Sequence, residues 1–439
     1  MPAPDSPTIL VARFLKSNSF NKTLAVFLEE TGLEASQIDP KDPENALTIE
    51  DVLDEKRLFD LTLKFEKTGA LDEELNGWIE PHPSVPIIIQ HPEIPPANVL
   101  FVTVATLAVS GADCQPTPTL IATTADRNLH LFSTTPPYRH LYSALHDSPI
   151  LSVAVIPTTT HLIASSMTGH LTMFSASTLK PVSTIKPHHK YTIRVICQFG
   201  YIASASYDKS ICIHELMPSD GNGIVEPGFG ALVGKLELST RPEAIVLTKI
   251  PNLAGDEPVL VFSREGSTNL YIHHLNSTMD LITTHNLSPH ENTWSTFHAM
   301  SLALHPTVPG LIAVGTNHVP HMKLLIVDLT KIPNNGDEAG TELAVFTGAP
   351  QSAYSTAVVA WRPDGGAVWV NADDGVVRGV ERVTGKIQVR LEVGPGQKIR
   401  TLFAGTISDE CGSQREVLVT GGFDKRLRIW EVGSTDSHS

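Results

Sequence analysis

Residues Val417–Val432 read VLVTGGFDKRLRIWEV. A run of β-formers, Val417–Thr420, meets Gly421-Gly422 and Asp424, and a second run follows from Leu427 to Val432. Such runs around a Gly and Asp cluster predict two strands joined by a tight turn. Asp leads at the turn because its carboxylate bonds its own backbone two residues on. Asp424 stands six residues before Trp430, and the same frame recurs upstream. Asp126 to Phe132 frames IATTADRNLHLF, Thr168 to Phe174 frames IASSMTGHLTMF, and Asp208 to His214 frames IASASYDKSICIHEL. Ser267 to His273 frames VFSREGSTNLYIHHL, His321 to Val327 frames IAVGTNHVPHMKLLIVDL, and Asp374 to Val380 frames VWVNADDGVVRGVERVTG. The closing positions are 132, 174, 214, 273, 327, 380 and 430, at intervals of 42, 40, 59, 54, 53 and 50. The short intervals match a repeat of ~40–45 residues built from four short strands. The longer ones imply insertions of roughly ten to fifteen residues, placed in PSDGNGIVEPGFG, PNLAGDEP and KIPNNGDEAG.

These frames resemble WD repeats over about 340 residues. HHKYTI at His188–Ile193, AWRPDGGAVWV at Ala360–Val370 and the FDKRLRIW finish are the nearest matches. The resemblance implies a mainly β fold, a seven-bladed WD-repeat β-propeller over 99–433. Blades are expected at about 99–141, 142–183, 184–232, 233–287, 288–345, 346–392 and 393–433. A six-bladed ring is the alternative, with Trp294–Leu329 as the weakest stretch. In the third blade His188 or His189, Ser206 and Asp208 approach the family's buried His–Ser–Asp set, with His214 in place of its Trp. Such a ring must latch its first and last blades. Only GSTDSHS follows Val432, so the latch is expected from the other end. Val99–Val104 would be the innermost strand of blade one and Val85–Gln90 (VPIIIQ) the outer strand of blade seven.

The front of the chain is built differently. Residues 1–95 hold 18 Asp and Glu against 8 Lys and Arg, leaving 29 against 24 in the remainder, so −10 of the net −15 lies in front. An acidic front repels phosphate, so direct nucleic-acid binding is not expected. Ser6-Pro7 reads as a helix start. Leu10, Val11, Phe14 and Leu15 then form one apolar stripe, and Phe20, Leu24, Phe27 and Leu28 a second. Gly32 follows as a C′ residue. Helices this short are marginal alone, so both stripes need a partner surface.

This segment resembles the LisH (lissencephaly homology) motif, through Val11-x-x-Phe14-Leu15, Ser19-Phe20, Thr23-Leu24 and Phe27-x-x-Glu30. Ser19 stands where that family usually has Gly, which suggests a looser turn. The resemblance implies a small all-α homodimerising domain over 1–35, with Leu10, Val11, Phe14, Leu15, Phe20, Leu24, Phe27 and Leu28 in the dimer. An acidic helical extension over 36–80 is expected next, with a capping box at Thr48 opening a helix to about Gly69 and a short piece near Leu71–Trp78. Six prolines make 81–98 a connector, and 434–439 a flexible tail.

Catalytic motifs are missing from the sequence. It holds no P-loop, no G-x-G-x-x-G after a strand, no H-E-x-x-H and no G-x-S-x-G, so no enzyme activity and no cofactor are expected. His188-His189, His273-His274 and His318–His321 lack metal-ligand spacing and read as structural or surface residues, not metal ligands. Cys197 and Cys212 read as buried free thiols, and Asp373-Asp374 as turn residues. No apolar run approaches the roughly 20 residues of a membrane span, and no secretory leader is evident, so an intracellular, nuclear or cytoplasmic place is expected.

What remains is surface. The loops expected on one side of the ring carry His188, His189, Lys190, Tyr191, Tyr207, Arg241, Trp294, Tyr354, Lys398, Arg400 and Phe423. Tyr, Trp and Arg anchor interfaces. The expected partner-binding set is His188, His189, Lys190, Tyr207, Arg241, Lys398, Arg400 and Phe423, whereas Trp294 and Tyr354 read as packing between blades. Proteins joining LisH to WD repeats include a dynein regulator, corepressor and transcription-factor subunits and ubiquitin-ligase receptors. The resemblance therefore implies a homodimeric scaffold for protein partners. A dedicated acidic chaperone for a basic client, such as a ribosomal protein, is the alternative.

Overall fold

A computed structural model describes residues 7–38, 48–49, 78–109, 116–157, 160–217, 227–288, 297–332, 340–408 and 413–432. Two compact units divide at Asp72 and Glu73. In the first, α1 spans Pro7–Ser17, α2 spans Asn21–Thr31, and a 3-10 turn covers Ala35–Gln37. Ser19 adopts a φ of 61°. The Phe20 N–H donates to Leu15 O at 2.9 Å and the Ser19 N–H to Lys16 O at 3.1 Å. This is the bonding of a Schellman turn. The loop is thus as tight as glycine would make it, against the looser turn expected. Its cost is a side chain held in left-handed backbone, about 1 kcal/mol. Helix α2 ends on Gly32 at φ 67°. Helix α1 buries Ile9, Leu10 and Ala12, while α2 buries no residue. Apart from 36–38, 48–49 and 78–80, the expected acidic extension lies outside the described residues, as do Ser6 and the 434–439 tail.

The second unit is seven antiparallel sheets of four strands each. The chain enters through β1 (Pro83–Ile89). Sheet one is β2 (Val99–Leu107), β3 (Thr117–Thr124), β4 (Asn128–Ser133) and β5 (His140–Leu145). Sheet two is β6 (Ile150–Val155), β7 (His161–Ser166), β8 (Leu171–Ser175) and β9 (Pro181–Ile185). Sheet three is β10 (Thr192–Gln198), β11 (Tyr201–Ser206), β12 (Ser210–Met217) and β13 (Gly228–Glu237). Sheet four is β14 (Pro242–Lys249), β15 (Pro258–Arg264), β16 (Asn269–His274) and β17 (Leu281–Asn286). Sheet five is β18 (Ala299–Leu304), β19 (Leu311–Thr316), β20 (His321–Asp328) and β21 (Thr341–Pro350). Sheet six is β22 (Val359–Trp361), β23 (Ala367–Val370), β24 (Val376–Glu381) and β25 (Ile387–Glu392). Sheet seven is β26 (Ile399–Ser408), β27 (Gln414–Gly422) and β28 (Leu427–Val432), with β1 as its outer strand. The ring is a seven-bladed propeller, so the six-bladed alternative falls.

Each sequence frame is the hairpin between the second and third strands of a sheet. Six of the seven hairpins turn on a residue of positive φ beside the frame's Asp or its substitute, just after it in five and just before Ser267 in the fourth. Arg127, Lys209 and Lys425 sit at 73°, 69° and 61°, and Gly169, Gly266 and Gly375 at 85°, 70° and 79°. Asp208 and Asp374 each accept from the N–H two residues on, at 3.0 and 3.1 Å. Strands β7, β19 and β23 are buried at every position, because sheets cover both of their faces. Small residues suit that place, and the runs Ile163–Ser166 and Ile202–Ser206 supply them. The core is therefore a set of wedges between neighbours. Leu120 and Val102 of sheet one meet Val417 and Ile429 of sheet seven, and Leu324 of sheet five meets Val359 and Trp361 of sheet six.

Outer strands behave differently. Strand β9 is open to solvent along much of its length, and β25 buries one residue. The expected blade boundaries at 141–142, 183–184, 232–233 and 345–346 cut through β5, β9, β13 and β21, because half-exposed edge strands carry no turn motif to locate them.

Two features tie the start of this unit to its end. Strand β1 pairs antiparallel with β28, from Pro83 against Val432 to Ile89 against Leu427. The expected 81–98 connector thus contains an edge strand, where Pro83 and Pro86 are tolerated because one side needs no N–H. Upstream, Trp78 stacks edge-on against Trp369 at 5.4 Å and lies under Arg362 at 4.5 Å. A side chain on Gly379 would come within 2.5 Å of the Trp78 ring, so glycine there admits it. Arg362 forks onto Glu416 at 2.9 and 2.6 Å and donates to Ile79 O at 2.8 Å. Trp78, expected in a helical extension, packs half-buried against the propeller core instead.

Candidate interaction face

The ring topology decides which loops share a side. Strands alternate in direction, so each connection from a fourth strand to the next first strand lies at the same end as the turn between second and third strands. All seven first strands run the same way, and these loops therefore gather on one rim. That rim carries His188–Tyr191 (β9 to β10), Tyr207 (β11 to β12), Arg241 (β13 to β14), Tyr354 (β21 to β22), Lys398 (β25 to β26) and Phe423 (β27 to β28).

His188 is wholly buried, so it is framework and not contact surface. Its Nδ1 faces Asp208 Oδ2 at 3.1 Å and Ser210 Oγ at 3.0 Å, and its Nε2 faces Ser204 Oγ at 2.9 Å. Burial holds this imidazole below its ordinary pKa, with Asp208 pulling the other way. Ser206 does not join the set, because its hydroxyl donates to Lys190 O at 3.2 Å. The network locks the β9–β10 loop onto the β11–β12 turn, and the His189 N–H adds a bond to Asp208 at 3.0 Å. Blades six and seven use another device. Arg378 pairs with Asp374 and Arg428 with Asp424, each at 2.5 Å across four residues. The repeated Asp-x-x-x-Arg is visible in the sequence but has no His in it.

On this frame sit His189, Lys190 and Tyr191, all exposed. The Tyr191 ring lies 5.8 Å from Tyr207, and the Arg241 guanidinium covers Tyr207 at 4.7 Å. Arg241 also pairs with Glu243 at 2.8 Å and Glu265 at 3.1 Å. Burial outweighs that pairing and raises the Glu243 carboxyl above the usual range. Lys398 pairs with Asp373 at 2.7 Å, and Ser355 donates to the same carboxylate at 2.6 Å. Phe423 is 49% exposed, and Tyr354 is 95% exposed. Tyr354 was expected to pack between blades, yet its ring stands free of them. Trp294 lies outside the described residues. Arg400 is not on the outer rim but turns into the channel.

The helical hairpin offers the other face. Leu10 is buried within its own chain, so it is not open to a second copy. Val11, Phe14, Leu15, Leu24, Phe27 and Leu28 are half-buried, and Phe20 is 52% exposed. Val26, unassigned from sequence, is 56% exposed. Rings of Phe14 and Phe20 lie 6.5 Å apart and continue one apolar surface.

Among the described residues no cluster of His, Cys, Asp and Glu has the makings of a metal site. His273 Nδ1 meets Met279 O at 2.7 Å. Cys197 and Cys212 are free thiols, and burial pushes them up to about 12 and about 11. No described helix is long and apolar enough to cross a membrane.

Comparison with known proteins fits both parts. The model of the UCP007778 LisH domain matches residues 8–34, and that of the UCP007778 beta-propeller domain matches residues 118–431. No curated protein matches the chain. Among solved structures, the WD40 beta propeller domain of Doa1 is similar at a TM-score of 0.54 and 14% identity, covering 80% of this chain and 97% of that one. At that identity the likeness is one of fold.

Proposed function

Since the chain belongs to the UCP007778 family, a LisH domain followed by a β-propeller of WD40 type, we propose that it is a homodimeric, non-enzymatic scaffold that docks other proteins on its propeller rim. One observation carries the docking reading. Tyr191, Tyr354 and Phe423 stand exposed on a single rim, interleaved with Lys190 and Lys398, on loops anchored from below by hydrogen bonds and ion pairs. Large aromatic side chains on a rigid base lose little conformational freedom on binding. The dimer reading rests on α2, which has no fully buried residue while Val26 on it and Phe20 just before it stand exposed. Two copies joined there would offer two rims, and avidity would multiply a modest single-site affinity. The protein then acts as a subunit of an intracellular multiprotein complex.

Affinity purification from cell extract tests the docking. Tyr354→Ala with Phe423→Ala should lose partners that the unaltered chain retains, and an unchanged partner set would reject the rim. Light scattering tests the dimer. Phe27→Asp should give a monomer of unchanged melting temperature, whereas an unaltered chain monomeric at micromolar concentration would reject it. The acidic front supports a second reading, a chaperone for a basic client, whose mark would be a salt-sensitive one-to-one complex.

A further inference from the structure

The seven first strands line an axial channel, and a cavity of about 120 Å³ sits in it. Its wall is apolar at Phe101, Leu151 and Met300. Two guanidinium groups interrupt that wall, Arg194 from β10 and Arg400 from β26. Both are partly exposed, so a small solute reaches them. Arg400 donates to Thr356 Oγ1, and among the described residues neither arginine meets a carboxylate. Glu243 also lines the cavity, but Arg241 takes it at 2.8 Å and Glu265 shares that arginine at 3.1 Å. The two arginines repel each other. Burial, with Arg400 beside it, pushes Arg194 down to about 10. A chain that places two such groups together without a counter-charge holds a site missing its anion.

We infer that the channel binds one tetrahedral oxyanion of the phosphate class, bridged between Arg194 and Arg400. The cavity suits a single such group and is too small for a nucleotide. Guanidinium forks match phosphate oxygens in pairs, which chloride does not reward. Because the arginines come from sheets three and seven, the anion would fasten the ring across its middle. The site does not depend on the docking reading.

The test uses the full chain and inorganic phosphate, against sodium chloride of equal ionic strength. Phosphate should raise the melting temperature saturably, by about 2–5 °C at high occupancy. Calorimetric titration should give one site per chain. Arg194→Gln should weaken phosphate at least about tenfold, and Arg400→Gln likewise. In phosphate-free buffer each variant should melt no lower than the unaltered chain, because a repulsion has been removed. Lys398→Gln, at the rim, should keep the response. A phosphate effect no larger than that of chloride would overturn the site. So would an Arg194→Gln chain that responds normally, or one that melts lower without phosphate, since the arginine would then serve an internal partner.

Discussion

The helical hairpin and the propeller meet the same demand, burial of apolar surface, in opposite ways. In the ring every sheet lies between two others, and strands such as β7 and β19 have no exposed position. In the hairpin α2 has no fully buried residue, and Leu24, Phe27 and Leu28 are only half-buried. A ring completes its own core; a pair of eleven-residue helices is too short to do so alone, which is why the proposed dimer would cover its apolar stripe. Changes in the ring should therefore appear as lost stability. Changes in the hairpin should appear as altered assembly.

The largest effect should come from cutting the chain at two places. A chain starting at residue 91 lacks β1 and leaves sheet seven with three strands, so it should melt lower by at least about 3 kcal/mol in stability. A chain starting at residue 77 keeps β1, Trp78 and the carbonyls that Arg362 uses, and should melt like the whole. Differential scanning calorimetry separates them; equal melting of both would break the claim that the ring needs its front strand. Next, Arg362→Met should cost about 3 kcal/mol in denaturant unfolding, since it removes a buried guanidinium and leaves the half-buried Glu416 and the carbonyl of Ile79 without their donor. A cost below 1 kcal/mol would show the clamp to be incidental.

Acid should act on the ring by a smaller amount. Burial lowers His130, with His140 adding to it, and burial lowers His285, each to about 4. Both lie below the ordinary 6.5, so the folded state holds them neutral where the unfolded state takes up protons. Their contribution is complete above pH 6.5 and is lost as pH falls toward 4. His188 shifts in the same direction. Stability should thus decline by roughly 1–3 kcal/mol across that interval, and His130→Gln should flatten the slope. A flat profile would contradict the burial assigned here. The smallest effect belongs to the hairpin. Ser19→Gly relieves left-handed strain and should stabilise it by about 1 kcal/mol, read as a higher midpoint for dissociation of the proposed dimer. Weakening instead would mean that the Ser19 hydroxyl makes a contact across the dimer.

The ring was legible in sequence where chemistry is obligatory. A hairpin that reverses within two residues needs a self-bonding carboxylate and a residue tolerant of positive φ, and Asp208-Lys209 and Asp424-Lys425 announce it. The outer strands were not legible, because exposed edges accept many residues. Trp78 was missed since its partner, Gly379, lies about three hundred residues away and signals only as an isolated glycine in a strand. The rim was read with two errors of depth. His188 is buried because it holds the loop that the exposed residues ride on, and Tyr354 is exposed because its neighbours Ser352, Ala353 and Ser355 are too small to cover it. Arg194 is marked in the sequence as the one charge within the otherwise apolar run Ile193–Cys197.

The pairing of β1 with β28 also bears on how the molecule is made. Leu427 leaves the ribosome 338 positions after Ile89, its partner across the sheet. Until then both edges of β1 are open, and Pro83 and Pro86, which offer no N–H, make it a poor template for wrong neighbours. Closure therefore waits for the synthesis of Leu427–Val432, and a message cut short before codon 427 yields a polypeptide whose front strand never meets its partner.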